Sequence, residues 1–282
     1  MLSVIIPCFN DHVLLEHTLT SLRNQNDPGR FEIIVVDSSA KTYAYTGPLT
    51  VRYFHQPTRV HAGIARNIGA QAAQGDVLVF LDCKVVPESN AFKMIAGLPL
   101  ENTIYSASLE ISPLSTFWGQ LKHRIFFHEF QYGRNGGEMR NLPGTFLVMA
   151  KETFFAHEGF GSLIRHQDTE YTERMKRHGC RLIFQPMLRC TLVNAEDART
   201  LMMKVYLDGA GYVCGKGAGR VLLLPLVGIA KFLRIASRNI RWRHDFLSVV
   251  LFIPTVIMSF VWGAGGLSSA LSATYASRVG SP

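Results

Sequence analysis

The chain has 282 residues, 48% of them hydrophobic, and a formal net charge of +8, with an isoelectric point near 9.4 and a mean hydropathy of +0.13. That length fits one large α/β domain or two small ones, and the hydropathy is high for a purely soluble protein, so membrane contact enters the reading early. The positive surplus sits late, with seven Lys or Arg and no acid from Lys216 to His244 beside the most apolar part of the chain, which argues for anionic lipid and against nucleic acid.

In chain order, Ser3 to Ile6 predicts a first buried strand ended by Pro7, followed by a polar Asn10-Asp11 turn. A helix comes next, with Leu14, Leu15, Thr18, Leu19 and Leu22 on one face. Phe31 to Val36 is a second apolar strand ending at Asp37, and Val51 to Phe54 a short third. The small residues from Gly63 to Ala73 predict a helix lying close against a sheet, stopped by Gly75-Asp76. Val77 to Leu81 is then a continuous apolar run closed by Asp82, the pattern of a central parallel strand covered on both faces. Strands alternating with helices predict a doubly wound, mostly parallel sheet. In such sheets ligands lie beyond the carboxyl ends of strands, which makes Asp37 and Asp82 site candidates on one rim; either residue also suits a plain loop cap.

Two nucleotide motifs are excluded. The first turn reads PCFN where G-x-G-x-x-G is required, and Gly215-Lys216 lacks the earlier glycine and the following Ser or Thr of a P-loop. Five cysteines, Cys8, Cys83, Cys180, Cys190 and Cys214, without a CxxC pair, predict free thiols in a reducing compartment and imply no structural zinc. His123 and His128 are five apart and share a helical face poorly, so metal binding by HRIFFHEF is disfavoured. The start of the chain has neither a basic segment nor a long apolar one, which predicts no signal peptide and a chain held in the cytoplasm.

Taken together, SVIIPCFN, IIVVDSSA and AGIARNIGAQAAQGDVLVFLDCKVVP, with LPGTFLVM from Leu142 and GFGSLIRHQDTEYTERMKRHG from Gly159, resemble the family 2 glycosyltransferases of the GT-A fold. The resemblance covers residues 2 to 190 and implies donor contacts from Pro7, Asn10, Asp37, Arg66, Asp82 and Lys84. Asp37 would meet the nucleotide base, uridine by preference, and Arg66 a phosphate or a bridging carboxylate. Asp82 corresponds to the first acid of the family's D-x-D, which by resemblance contacts the ribose or the shell of a Mn²⁺ or Mg²⁺ ion. Lys84 stands where the second acid belongs, and a lysine cannot ligate either ion. A metal at Asp82 and a metal-independent mode, in which the Lys84 ammonium supplies the positive charge, therefore stand side by side. Asp168 corresponds to the base of inverting transfer and also sits where a helix starts, while Gln167 replaces the glutamate before it.

Leu247 to Leu267 has no charged residue over 21 positions, enough to cross a bilayer, although Pro254 and three glycines interrupt it. Before it, Lys231, Arg234, Arg238 and Arg241 form a basic helical stripe. The expected organisation is a GT-A domain over residues 1–215, with a nucleotide-binding half (1–90) and an acceptor half (91–215), then basic and apolar membrane-associated helices over 216–282. The expected function is inverting transfer from a nucleotide sugar to a lipid-linked or saccharide acceptor at the cytoplasmic membrane face, with no nucleic acid involved. The alternative is a catalytically silent GT-A module that binds nucleotide sugars or serves as a membrane scaffold.

Overall fold

A computed structural model describes residues 1–26, 29–163 and 166–213, with 229, 230, 233, 234, 237, 257, 260–262 and 264. These fall into two compact units, one of residues 1–112 and 130–193, the other of 113–129 and 194–282. The expected boundary at 215 lies outside the described residues.

In the first unit, nine strands among the described residues form one sheet. β1 (Leu2–Cys8) pairs in parallel with β2 (Phe31–Asp37) and β4 (Val77–Leu81), and β2 with β3 (Val51–His55). α1 (His12–Arg23) follows β1, with Leu15, Thr18, Leu19 and Leu22 buried on one face as their spacing predicts. α2 (Ala62–Ala72) lies against β1 because its glycines permit it: a Cβ on Gly69 would stand 2.3 Å from Ile5 Cγ2. β1 differs from expectation in running through Pro7 to Cys8. Its pairing with β4 stops at Ile5, so strand pairing does not demand the N–H that proline lacks on that side.

The rest of the sheet corrects the mostly parallel expectation. After β4 come β5 (Val85–Pro87), α3 (Ala91–Ala96), β6 (Thr103–Ile111), α4 (Phe117–Phe126), β7 (Gly137–Glu138) and β8 (Phe146–Ala150). β8 inserts antiparallel between β4 and β6. α5 (Lys151–Phe155) and α6 (Gln167–Arg177) lead to β9 (Arg181–Leu192), which is parallel to β6 and antiparallel to β5 and β7. An apolar run states burial and not direction, so the reversal of β8 left no local trace. Its consequence is positional: residues 142–145 enter the sheet beside the end of β4, where Asp82 N–H donates to Thr145 O at 3.0 Å.

In the second unit, α4 and α7 (Ala198–Val213) share a buried cluster of Leu121, Ile125, Leu201, Val205 and Trp262. Phe117 is exposed, and Trp118 and Phe126 pack against the cluster. Of the apolar run 247–267, Trp262 is buried and Ile257 and Phe260 are exposed. No helix among the described residues is long and apolar enough to cross a membrane. The expected C-terminal membrane helices gain no support from them, and most of the run, with Lys231, Arg238 and Arg241, lies outside the described residues.

The amino ends of the parallel strands are tied by Glu32. Its carboxylate accepts from Ser3 Oγ at 2.7 Å, Arg52 Nη1 at 2.6 Å and Gln74 N–H at 2.5 Å. Burial pushes this carboxyl up, but the bonds from Gln74, Ser3 and Arg52 outweigh it and hold it below its ordinary 4.5. A depressed folded-state value means stability that is present above pH 4.5 and lost as the pH falls through the folded value. Glu32→Gln is expected to lower the urea midpoint at pH 7, with the difference from wild type shrinking as pH falls below 4.5. An unchanged difference across that range would contradict the assignment.

Candidate functional site

The carboxyl ends of the parallel strands form a rim. Strand register sets Cys8, Asp37 and His55 side by side across β1, β2 and β3. Asp37 is fully buried, and both of its oxygens are claimed. Oδ1 accepts from Ser39 N–H at 2.8 Å and from the Ser39 hydroxyl; Oδ2 accepts from Tyr53 Oη at 2.6 Å and lies 2.7 Å from His12 Nε2. Burial raises the Asp37 carboxyl, yet Ser39, Tyr53 and His12 together hold it below the usual aspartate value. Burial, and then the bond to Asp37, push Tyr53 up to about 12, so this phenol remains a donor. Asn10, in the left-handed region with φ 58°, gives its N–H to Ser39 Oγ at 2.7 Å. Pro7 lies within β1, opposite Val36, and brings the chain to this turn. Beside the turn, Arg59 stacks on the exposed Phe9 ring at 4.4 Å.

A second cluster is built on Gly144. Its N–H donates to Asp168 Oδ2 at 2.9 Å, and its carbonyl accepts from Arg66 Nη2 at 3.0 Å. The same Nη2 reaches Asp82 Oδ1 at 2.7 Å. Arg66, Asp82 and Asp168 are thus linked by hydrogen bonds through the backbone of a single residue, Gly144. A side chain at 144 would crowd this link: a Cβ would stand 3.0 Å from Asp168 Cβ and 3.3 Å from Arg66 Cζ, so both neighbours would have to give by a few tenths of an ångström. Of the two structural partners open to Arg66, the ion pair goes to Asp82 and not to Asp37. The Arg66 side chain is 4% exposed and lies over the Phe160 ring at 5.3 Å, while the Asp82 side chain is 23% exposed.

Asp168 lies in the first turn of α6, and its Oδ1 also accepts from Thr169 N–H at 2.9 Å. Two amides orient the carboxylate, and each oxygen keeps lone-pair capacity for a further donor. Gln167 has a role that sequence comparison alone does not reveal: its Oε1 accepts from Gly63 N–H at 2.8 Å, an open amide of the first turn of α2, and lies 3.1 Å from His61 Nδ1. The helix carrying Asp168 is thereby bound to the helix carrying Arg66. Asn67 adds a second tie, giving and accepting a bond with the Phe160 backbone at 2.8 and 2.9 Å. Glu170 turns away to pair with Arg174.

Lys84 follows Asp82 in a tight turn, its backbone fixed by Val193 N–H on Lys84 O at 3.0 Å. Among the described residues its half-buried side chain has no hydrogen-bond or ion-pair partner. The oxygen set expected for Mn²⁺ or Mg²⁺ is not assembled here. Asp82 is engaged by Arg66, Lys84 replaces the neighbouring acid, and no group of three or more ligating side chains among the described residues includes Asp82. The donor set therefore does not fit a hard divalent ion. The one such group brings Cys8, His12 and Asp37 together instead. His12, Tyr53 and Ser39 are the site residues that sequence reasoning missed: Ser39 follows Asp37 by two positions, Tyr53 is brought near by the register of β2 and β3, and His12 by the start of α1.

Residues 3–155 match the family described as Glycosyl transferase family 2. A chondroitin synthase of Pasteurella multocida is 34% identical over 94 residues, 31% of this chain and 10% of that protein. The chain spans no more than half the length of the curated relatives it matches. Among solved structures, the mannosyltransferase PcManGT of Pyrobaculum calidifontis, in complex with GDP-Man and Mn²⁺, aligns with a TM-score of 0.60 at 16% identity, over 95% of this chain and 86% of that one. S. aureus TarS 1-349 in complex with UDP-GlcNAc aligns with a TM-score of 0.56 at 14% identity, over 98% and 91%. At these identities the structural likeness establishes the fold.

Proposed function

This chain belongs to glycosyl transferase family 2 and is a glycosyltransferase, and from that premise we propose inverting transfer of a sugar from a uridine-linked donor. The observation that carries the reading is the chain of bonds from Asp82 through Arg66 and Gly144 to Asp168, which holds a donor-side acid and an acceptor-side base in fixed relation. TarS, with its UDP-GlcNAc, supports a uridine nucleotide, and PcManGT, with GDP-Man, supports a nucleotide sugar more generally.

In this reading the base lies over the turn from Pro7 to Asn10, with Asp37 as its polar contact. The diphosphate lies toward Asp82 and Lys84. As the glycosidic bond breaks, negative charge grows on the leaving diphosphate, and a cation placed there lowers the barrier. The ammonium of Lys84, without a partner among the described residues, serves that end without coordination geometry, whereas Arg66 is neutralised by Asp82 and acts to position it. Asp168, oriented by the amides of Gly144 and Thr169, takes the proton of the acceptor hydroxyl while the anomeric carbon is attacked from the face opposite the leaving group.

The acceptor is assigned to the cytoplasmic membrane face, lipid-linked or saccharide, on the strength of the basic stripe at Lys231, Arg234, Arg238 and Arg241 beside the uncharged run 247–267. Sedimentation with anionic vesicles checks this: the full chain should co-sediment at low salt, and a chain left wholly in the supernatant would contradict it.

Asp168→Asn keeps the shape of the side chain and removes its basicity. The expected outcome is an unchanged affinity for the productive donor and a turnover lower by about a hundredfold or more, the usual worth of a positioned general base. Calorimetry identifies the donor, starting with UDP-GlcNAc, and release of uridine diphosphate with a lipid-linked saccharide extract as acceptor gives the rate. An unchanged rate would remove Asp168 from the mechanism.

A further inference from the structure

Cys8, His12 and Asp37 come from three elements: the last residue of β1, the first of α1 and the last of β2. The thiol sulfur, an imidazole nitrogen and a carboxylate oxygen all lie within 4.8 Å of one another. Tetrahedral zinc with bonds of about 2.0 to 2.3 Å sets its ligand atoms roughly 3.3 to 3.8 Å apart, so small side-chain adjustments convert this cluster into a three-ligand site. We propose that Cys8 Sγ, His12 Nε2 and Asp37 Oδ2 bind a zinc ion, leaving its fourth position to a water or an anionic ligand.

Three features favour a borderline-soft divalent ion over the hard ions used by related transferases. Thiolate and imidazole select zinc, whereas magnesium and manganese prefer all-oxygen sets. The outer shell is already in place: Ser39 N–H and its hydroxyl hold Asp37 Oδ1, and Tyr53 supports Oδ2, the kind of second layer that orients metal-bound carboxylates. The His12 ring packs against Tyr43 with centroids 5.1 Å apart, which fixes its plane.

The close contact of His12 Nε2 with Asp37 Oδ2, 2.7 Å, is that of a hydrogen bond. Zinc replaces the bridging proton, and the two atoms separate by about half an ångström to reach ligand spacing. Cys8 and Asp37 are 4% and 0% exposed, while the His12 side chain is 26% exposed, so the ion has access on the histidine side. The two anionic ligands balance the charge of the ion, which a buried position requires. A consequence rests on the role proposed above for Asp37: zinc and a nucleotide base compete for one carboxylate, and the ion acts as a brake on donor binding.

The test is made on the full chain stripped with EDTA. Cobalt(II) serves as the spectroscopic probe and zinc as the calorimetric one. The expected result is one equivalent bound, with a thiolate-to-cobalt charge-transfer band and the visible bands of tetrahedral cobalt. Cys8→Ser should abolish the charge-transfer band, His12→Gln should weaken binding at least tenfold, and Cys180→Ser should leave both unchanged. Absence of the band in the wild type, or binding that survives both Cys8→Ser and His12→Gln, would overturn the proposal. Should Cys8→Ser fail to fold, as circular dichroism would report, His12→Gln alone decides: wild-type zinc affinity in that variant refutes the site. The readout is the metal and not the sugar, so its failure leaves the transferase reading untouched, and failure to find a donor leaves the metal site untouched.

Discussion

The backbone of Gly144 donates its N–H to Asp168 and accepts at its carbonyl from Arg66, and Arg66 in turn holds Asp82. Three charged side chains from the end of β4, the middle of α2 and the start of α6 meet there, and position 144 leaves little room for a side chain between Asp168 and Arg66. The direction of β8 makes the meeting possible. Had β8 run parallel to β4, the segment leading into it would lie at the amino end of β4, a strand length from Asp82. The antiparallel insertion places residues 142–145 on the rim, and the bond from Asp82 N–H to Thr145 O fixes the approach.

Around this junction the chain invests in rigidity. Gln167 covers an open amide of α2, Asn67 holds the backbone of Phe160, and Arg174 bonds Gly159 O at 2.6 Å, so the loop from His157 to Gly161 is gripped from α2 and from α6. Arg66 is buried between Phe160 and the sheet with its charge matched by Asp82. Lys84 is the contrast. It is half-buried one residue beyond Cys83, and its ammonium has no partner among the described residues. A cation with no internal partner is available to an anionic ligand, whereas one already paired and buried is not.

Much of the frame was legible in the residues. Continuous apolar runs ending in Asp37 and Asp82 predicted strands and rim acids, and both stand at or just past strand ends. The small residues of α2 predicted close packing, and Gly69 against Ile5 shows its cause. The five family segments carried the assignment because their order and spacing are set by β1, β2, α2 with β4, β8 and α6. What the residues did not disclose is long-range. Strand direction leaves no mark on a buried apolar run, so β8 was read without its reversal. Two partners of Asp37 lie 25 and 16 positions away, at His12 and Tyr53, and the start of α1 and the register of β2 and β3 bring them in. Gln167 stands where the family has a glutamate, and its carbonyl is turned to the amide of Gly63 and the ring of His61, a role its position in the sequence does not disclose. The thiol at Cys8 gave no metal signal by spacing, because its companions come from other elements.

The central claim is that this transferase engages its donor through Lys84 in place of a coordinated divalent ion. Calorimetric titration of the wild-type chain with UDP-GlcNAc and a panel of uridine and guanosine nucleotide sugars, in EDTA and then in Mn²⁺, addresses it directly. The account predicts that a uridine-linked donor binds in EDTA and that Mn²⁺ strengthens its affinity by less than about threefold, a shift below 0.7 kcal/mol. Binding that requires Mn²⁺ would contradict the lysine-for-metal claim, and binding of no donor under either condition would contradict the nucleotide-sugar site itself.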